Sequence, residues 1–188
     1  DVYKRQLCGR TTVFQDELRE GRRGLDLIGV TVEMHNPIDL MIIMLGTNDC
    51  KTRYKASASV IAKGLDQVIR KARQNASRHF DLLVISPIHL GVGVGDADFD
   101  PEFDEKSEAV SRNLADEYRK AALQNHAAFL NAADFASPSI TDREHMDEKG
   151  HAALADAIYN KILALQKGLS HVTVSYTHLR AHETRHDL

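Results

Sequence analysis

The sequence predicts an α/β protein in which helices cover a parallel sheet. Three short apolar segments, each followed by turn-forming residues, alternate with longer segments whose apolar residues recur at helical spacing. This alternation is typical of βαβ units, in which parallel strands are joined by right-handed crossovers. With 188 residues, of which 43% are hydrophobic and 27% charged, the chain suits one compact domain.

The first predicted strand is the most informative segment of the chain. Every residue from Leu40 to Leu45 is apolar, without polar alternation, which favours a strand buried on both faces. It ends at a Gly-Thr-Asn-Asp segment, residues 46–49, whose residue types favour turns. Ligands of open α/β sheets bind outside the carboxyl ends of the strands, so this turn is a candidate site. A plain strand-to-helix turn explains the segment equally well.

The other elements follow from apolar periodicity and from residues that end helices. We predict helices over residues 25–34, 57–74, 105–125 and 148–165, and strands over residues 82–85 and 128–130. Asp147 is a candidate N-cap for the last helix. The polar segment 16–24 is expected on the surface. The predicted inward residues are Leu25, Ile28, Val32, Val60, Ile61, Leu65, Val68, Ile69, Ala72, Val110, Leu114, Tyr118, Ala121, Leu154, Ile158, Ile162 and Leu165.

Composition argues against several classes of partner. A formal net charge of -3 gives no reason to expect nucleic acid or an anionic membrane surface as a partner. No apolar segment approaches the roughly 20 residues of a membrane span. The start of the chain shows no secretion signal, and Cys8 and Cys50 do not make a disulfide framework. We therefore expect a cytoplasmic protein.

Both ends of the chain look foreign to the domain. Residues 1–6 and 174–188 resemble translated sequencing-adapter read-through, so we place a single domain at residues 7–170. In the tail, His178, His182 and His186 would share one face of a helix and imitate a metal site. The tail has no apolar face with which to dock, and we expect no metal there.

Asp142 and His145 form a second candidate site, in the segment before the last helix. An Asp three residues before a His can orient the imidazole and stabilise its protonated form, as the acid does in a Ser-His-Asp triad. Taken alone the pattern is a weak signal, because a surface ion pair explains it at least as often.

Three motifs, in this order along the chain, resemble the SGNH hydrolases, also called GDSL esterases, and most closely their arylesterase-like branch. Leu7-Cys8-Gly9-Arg10-Thr11-Thr12 is similar to the second block of that branch, and residues 42–49 match its third block. The Asp142-x-x-His145 pair matches the fifth block. The resemblance implies a three-layer α/β/α sandwich with a flavodoxin-like parallel sheet.

The resemblance also implies roles for four residues. His145 would be the general base and Asp142 its orienting acid. The Asn48 side-chain amide and the Gly9 backbone N–H would donate to the oxyanion, whose charge grows when an ester carbonyl is attacked. No cofactor is implied, and homo-oligomerisation is expected from the arylesterase-like resemblance alone.

The sequence departs from the family pattern in two places. Arg143-Glu144 stands where the family has a small residue followed by an apolar one, a change that we expect a surface to tolerate. The first block, Gly-Asp-Ser with the nucleophilic serine, is absent, and by the family layout it lies upstream of Gly9. We therefore expect the sheet to lack its first strand and helix and the chain to be inactive by itself. Because that strand is internal, we also expect the isolated chain to fold poorly or to aggregate.

Other residues are weaker candidates for chemistry. Ser86 follows a strand, but Pro87 comes next instead of the helix N-terminus that an activated serine usually has. Cys8 and Cys50 flank proposed site residues, although packing is the commoner role of such cysteines. The spacing of Asp142, His145, Asp147 and His151 fits no common metal-ligand motif, so we expect no metal.

The loop over residues 91–104 is rich in Gly and Asp. No helix opens directly after its glycines, which argues against a phosphate site. Pro101 stands where an EF-hand loop has Gly, which argues against calcium. We interpret the loop as a mobile lid beside the acyl pocket. His89 either lines that pocket or is an ordinary surface histidine.

The sequence therefore predicts that the intact parent protein is a serine esterase acting on short-chain acyl or aryl esters. Its partner would be a small-molecule ester, with the acyl group passing to water or to another alcohol. Two alternatives remain open. One is a non-catalytic, flavodoxin-like binding module for a nucleotide or sugar, in which Asn48 and His145 contact the ligand. The other is a carbohydrate acetylesterase within the same family.

Overall fold

A three-stranded parallel sheet forms the centre of the computed structural model, which describes residues 8–183, with side chains through residue 167. Strands β1 (Leu40–Ile43), β2 (Asp81–Ser86) and β3 (Ala128–Asn131) lie in the order β1-β2-β3. The register places Met41 of β1 opposite Leu82 of β2, and Val84 of β2 opposite Phe129 of β3. The carboxyl ends of the three strands therefore meet at one edge of the sheet, and the predicted parallel α/β fold is confirmed.

Four helices accompany the sheet: α1 (Gly24–His35), α2 (Ala58–Gln74), α3 (Glu105–Gln124) and α4 (Glu148–Glu183). Alternate residues of β2 belong to two different apolar clusters. Leu82 and Val84 pack with residues of α1, α2 and α3, whereas Leu83 and Ile85 pack with Leu154 of α4. Because successive side chains of a strand point to opposite faces, helices cover both faces of β2. The layers are helix, sheet and helix.

Helix α2 shows how the sequence determines the packing. Its N-cap Ser57 accepts a hydrogen bond from the Val60 backbone N–H. Its inward side contains Gly64, where an added Cβ would lie 2.5 Å from the Thr12 hydroxyl and 2.8 Å from a Val13 methyl. Glycine weakens a helix, but here it lets the segment that contains Thr12 pack directly against the helix backbone.

Strand β1 differs from its prediction. It ends at Ile43 instead of Leu45, and the apolar segment 40–45 is not buried on both faces, because Ile42 and Met44 are each 42% exposed. Leu40 and Ile42 point to the face of the sheet that α4 covers. However, α4 contacts β3, which is the edge strand farthest from β1. Ile42 therefore remains uncovered by the described residues.

Three further predictions about elements need correction. Val60 is 44% exposed, on the outer side of α2. The segment 16–24 is not wholly on the surface, because Asp16 is buried against Arg53 and Gly24 is buried at the start of α1. Helix α4 extends past residue 165 to Glu183.

The start of α4 agrees with prediction, since the Asp147 carboxylate accepts a hydrogen bond from the Gly150 N–H at 2.7 Å. Residues 1–7 and 184–188, with the His186 side chain, lie outside the described residues. So do the side chains of His178 and His182. Within the described part of the chain, no helix is long and apolar enough to cross a membrane.

Candidate functional site

Asp142 and His145 are in contact in the loop between β3 and α4. His145 Nδ1 lies 2.9 Å from Asp142 Oδ2. The other carboxylate oxygen accepts hydrogen bonds from the N–H groups of Glu144 and His145 and from the Ser139 hydroxyl, at 2.9–3.0 Å. Both oxygens of Asp142 are thus fixed, and the imidazole is oriented through Nδ1.

The charge of Asp142 follows from these contacts. Partial burial alone would raise the pKa of Asp142, but hydrogen bonds from Glu144, His145 and Ser139 outweigh it and lower the pKa to about 2. The carboxylate is therefore ionised at neutral pH and can accept a hydrogen bond from Nδ1, an arrangement that points Nε2 of the imidazole away from Asp142. The histidine side chain is 68% exposed.

Asn48 lies at the carboxyl end of β1, where it begins a short 3₁₀ turn, Asn48–Cys50. Within the described residues, its side-chain amide makes no hydrogen bond. Gly9 is buried and has a φ of +78°, a backbone conformation that favours glycine. Its segment contacts the Asn48 turn through Thr12 and Asp49.

Asp49 accepts hydrogen bonds from the Thr12 backbone N–H at 2.9 Å and from the Thr12 hydroxyl at 2.5 Å. Burial raises the pKa of Asp49 to about 6, despite these hydrogen bonds, which act to lower it. The pair joins the segment of Gly9 to the turn of Asn48. The sequence predicted only a turn at residues 46–49 and did not reveal this contact with Thr12.

The predicted site residues thus fall into two groups. Asp142 contacts His145 directly, and Gly9 and Asn48 belong to segments joined by one buried pair. Among the described residues, no hydrogen bond connects Gly9 or Asn48 to either member of the Asp142–His145 pair. The catalytic roles of the four residues remain predictions.

A cavity of about 370 Å³ opens beside His145. One wall comes from the loop over residues 91–104 and the other from the segment of the Asp142–His145 pair. The lining residues are Asp98, Phe99, Asp100, Pro101, Thr141, Asp142, Glu144 and His145. The loop therefore lies beside the candidate site, where we expected it, whereas its mobility stays a prediction. His89 is not among the lining residues.

Arg143 and Glu144, where the sequence departs from the family pattern, both make contacts beside the candidate site. The Arg143 guanidinium contacts the loop over residues 91–104 through Gly93 and Asp96. The Glu144 side chain is only 15% exposed, lines the cavity and places Oε1 4.0 Å from His145 Nε2. Burial raises the pKa of Glu144, whereas a positive charge on His145 acts to lower it. In the sequence, the signal for these contacts was that residues 143 and 144 depart from the family pattern.

The weaker candidates have other roles. Ser86 is buried, and among the described residues its hydroxyl has no hydrogen-bond partner that could act as a base. Cys50 is buried, and burial, with the charge of Asp49, raises the pKa of its thiol. Cys8 is exposed. Within the described residues, no three His, Cys, Asp or Glu side chains are grouped so that they could hold a metal ion.

Comparison with known families identifies the chain. Residues 1–153 match the model of the GDSL-like lipase/acylhydrolase family. The chain belongs to this family. Membership confirms the resemblance seen in the motifs and implies a small-molecule ester as substrate.

Solved structures of similar proteins support this membership. An aryl esterase from M. smegmatis is 25% identical, with a TM-score of 0.80 over 88% of this chain and 79% of its own. Est24, a carbohydrate acetylesterase from Sinorhizobium meliloti, is 26% identical, with a TM-score of 0.75 over 85% of this chain and 76% of its own. Among curated proteins, no significant match is found.

Proposed function

We propose that this member of the GDSL-like family is a serine esterase for short-chain acyl or aryl esters, with His145 as general base. The observation that carries the proposal is the 2.9 Å contact between His145 Nδ1 and Asp142 Oδ2. The second oxygen of Asp142 is held by three donors, so the carboxylate has little freedom to turn away. A histidine oriented in this way can accept a proton at Nε2.

In the proposed reaction, a serine from the family's first block attacks the ester carbonyl while His145 Nε2 takes its proton. Asp142 stabilises the imidazolium, and the Asn48 amide and the Gly9 N–H donate to the oxyanion. The imidazolium then returns the proton to the leaving alcohol. Water or a second alcohol, deprotonated by His145, attacks the acyl-enzyme and releases the serine. We place that serine upstream of Gly9, where the family layout puts the first block. Within the described residues, no serine hydroxyl is hydrogen bonded to the His145 ring.

The decisive experiment begins with the source DNA upstream of the Leu7 codon. We expect it to encode an apolar strand that ends in Gly-Asp-Ser. The extended protein should hydrolyse p-nitrophenyl acetate, and His145→Ala should lower kcat by several orders of magnitude. His151→Ala is the matched control, because His151 is exposed on α4 and does not line the cavity. An upstream segment without a serine, or full activity of His145→Ala, would favour the binding-module alternative.

A carbohydrate acetylesterase is the second candidate. The cavity presents the carboxyl groups of Asp98, Asp100 and Glu144, which can accept hydrogen bonds from the hydroxyls of a sugar. A panel of acetylated sugars and phenyl acetate, assayed with the extended protein, separates the two candidates through their kcat/KM values. A preference for phenyl acetate over every sugar ester would reject the second candidate.

A further inference from the structure

We propose that Arg143 is a positioning residue that holds the loop over residues 91–104 as a fixed wall of the cavity beside His145. The effect of Arg143 on substrate binding rests on the proposed function, whereas its hold on the loop is argued from contacts alone. Arg143 lies between Asp142 and His145 in sequence, so the residue that holds the loop is part of the candidate catalytic segment itself.

Arg143 contacts the loop through both its backbone and its side chain. Its carbonyl oxygen accepts a hydrogen bond from the Gly91 N–H at 2.7 Å. Its Nη1 donates to the Gly93 carbonyl and to Asp96 Oδ2, each at 2.9 Å. The guanidinium also lies 3.9 Å from the ring centroid of Phe99. A planar, permanently charged group is suited to donate hydrogen bonds and to stack on a ring simultaneously.

These contacts differ in strength. Asp96 is 65% exposed, so its ion pair with Arg143 is weakened by solvent. The bond to the Gly93 carbonyl and the stacking on Phe99 should contribute more, because a charged donor strengthens a hydrogen bond. We therefore expect the guanidinium as a whole to matter more than the carboxylate of Asp96.

The glycines of the loop fit the close approach of Arg143. Gly93 has a φ of +74°, and an added Cβ would overlap Nη1 of Arg143 and the Asp96 carboxylate. At Gly91, an added Cβ would lie 2.9 Å from the Arg143 Cβ. The Gly-x-Gly pattern, which the sequence alone left without a role, is explained by this contact.

The far end of the loop is held by the segment that follows Asn48. The Glu102 carboxylate pairs with Lys51 and Arg53, and its backbone carbonyl accepts from the Thr52 N–H at 2.8 Å and the Thr52 hydroxyl at 3.1 Å. Lys51 is 4% exposed, and its pairing with a carboxylate offsets part of the cost of burying its charge. The loop thus bridges the two groups of proposed site residues, and Arg143 holds it on the side of His145.

Hydrogen exchange measured by mass spectrometry on the dilute monomeric fraction of the chain tests the inference without requiring turnover. In Arg143→Asn, amides of residues 91–104 should exchange roughly tenfold faster than in the wild type, while those of α2 and β2 keep their rates. Asparagine is chosen because Arg143 has a φ of +59°, which asparagine tolerates. Arg143→Lys should restore part of the protection. Arg78→Gln is the matched control, because Arg78 is exposed and pairs with Asp39, away from the loop.

Unchanged exchange of the loop in Arg143→Asn would overturn the inference. If that variant also loses protection in α2 and β2, Asp96→Asn serves instead, and it should accelerate exchange in the loop to a smaller extent. No acceleration in Asp96→Asn would then count against the inference. In the extended esterase, Arg143→Asn should raise KM several-fold with a smaller change in kcat, because the wall contacts substrate without reacting. A loss confined to kcat would reject the positioning role, even if the esterase assignment holds.

Discussion

Asp49 and Thr12 form a buried hydrogen-bonded pair across 37 residues of chain, with the Thr12 hydroxyl 2.5 Å from Asp49 Oδ1. Both residues are 0% exposed. A buried carboxylate without donors is costly, so this contact stabilises the approach of two distant segments. One segment contains Gly9 and the other Asn48, and the proposed oxyanion donors therefore depend on the pair.

Thr12→Val removes the hydroxyl donor and keeps the size of the side chain. Asp49 then retains only the backbone N–H of residue 12, and we expect the free energy of unfolding to fall by about 1–3 kcal/mol. Urea unfolding followed by circular dichroism at low protein concentration measures this loss. Thr141→Val is the control, because Thr141 is exposed and should change stability by less than about 0.5 kcal/mol. Equal stabilities of the two variants would argue against the importance of the pair.

The raised pKa of Asp49 predicts a pH dependence of stability. The folded chain holds the proton with a pKa of about 6, above the ordinary 3.8. The contribution of Asp49 is therefore complete below pH 3.8 and is lost as the pH rises through 6. A pKa difference of about two between the folded and unfolded chain corresponds to roughly 3 kcal/mol in the free energy of unfolding. Asp142 acts in the opposite direction, because its pKa is lowered. Its contribution to stability is lost only as the pH falls from 3.8 towards 2, which lies outside this window.

Asp49→Asn isolates this contribution. We expect the stability of the wild type, relative to the variant, to decrease by roughly 3 kcal/mol between pH 4 and pH 7. Urea unfolding of both proteins at pH 4, 5.5 and 7 gives the comparison, and the shared titrations of other groups cancel in the difference. Parallel pH profiles for the two proteins would show that Asp49 is not the titrating group.

Local patterns predicted those features that neighbouring residues determine. The periodicity of α2 located its inward side through Ile61, Leu65 and Val68, all buried. The three-residue spacing of Asp142 and His145 predicted their contact, because both lie in one short loop. The catalytic role of that contact stays a prediction.

Features that depend on distant residues escaped sequence reasoning. An apolar run does not reveal which faces the helices will cover, so the exposure of Ile42 was missed. Asp16 looked like surface, but Arg53, 37 residues away, pairs with it in the folded chain. Arg143 approaches Gly93 across 50 residues, and no local periodicity encodes such a contact.

Asn48→Ala tests the proposed oxyanion donor. In the extended esterase we expect kcat to fall by about 10²–10³, because the amide would donate chiefly to the charge that develops in the transition state. KM should change little, since the ground-state carbonyl is a weaker acceptor. Asn113→Ala, on the exposed side of α3, is the matched control. An increase in KM with unchanged kcat would instead indicate that Asn48 binds substrate without stabilising the oxyanion.

The exposed side of β1 predicts self-association of the isolated chain. Ile42 and Met44 are each 42% exposed, and β1 pairs with β2 alone among the described strands. An apolar strand with one unpaired edge favours pairing with another copy. Light scattering after size exclusion should show a mass that grows with concentration, and Ile42→Thr with Met44→Thr should reduce this growth while keeping β propensity. Val30→Thr with Met34→Thr is the control, because these exposed residues lie on helix α1, whose backbone offers no strand edge. Equal association of the two double variants would place the contact elsewhere.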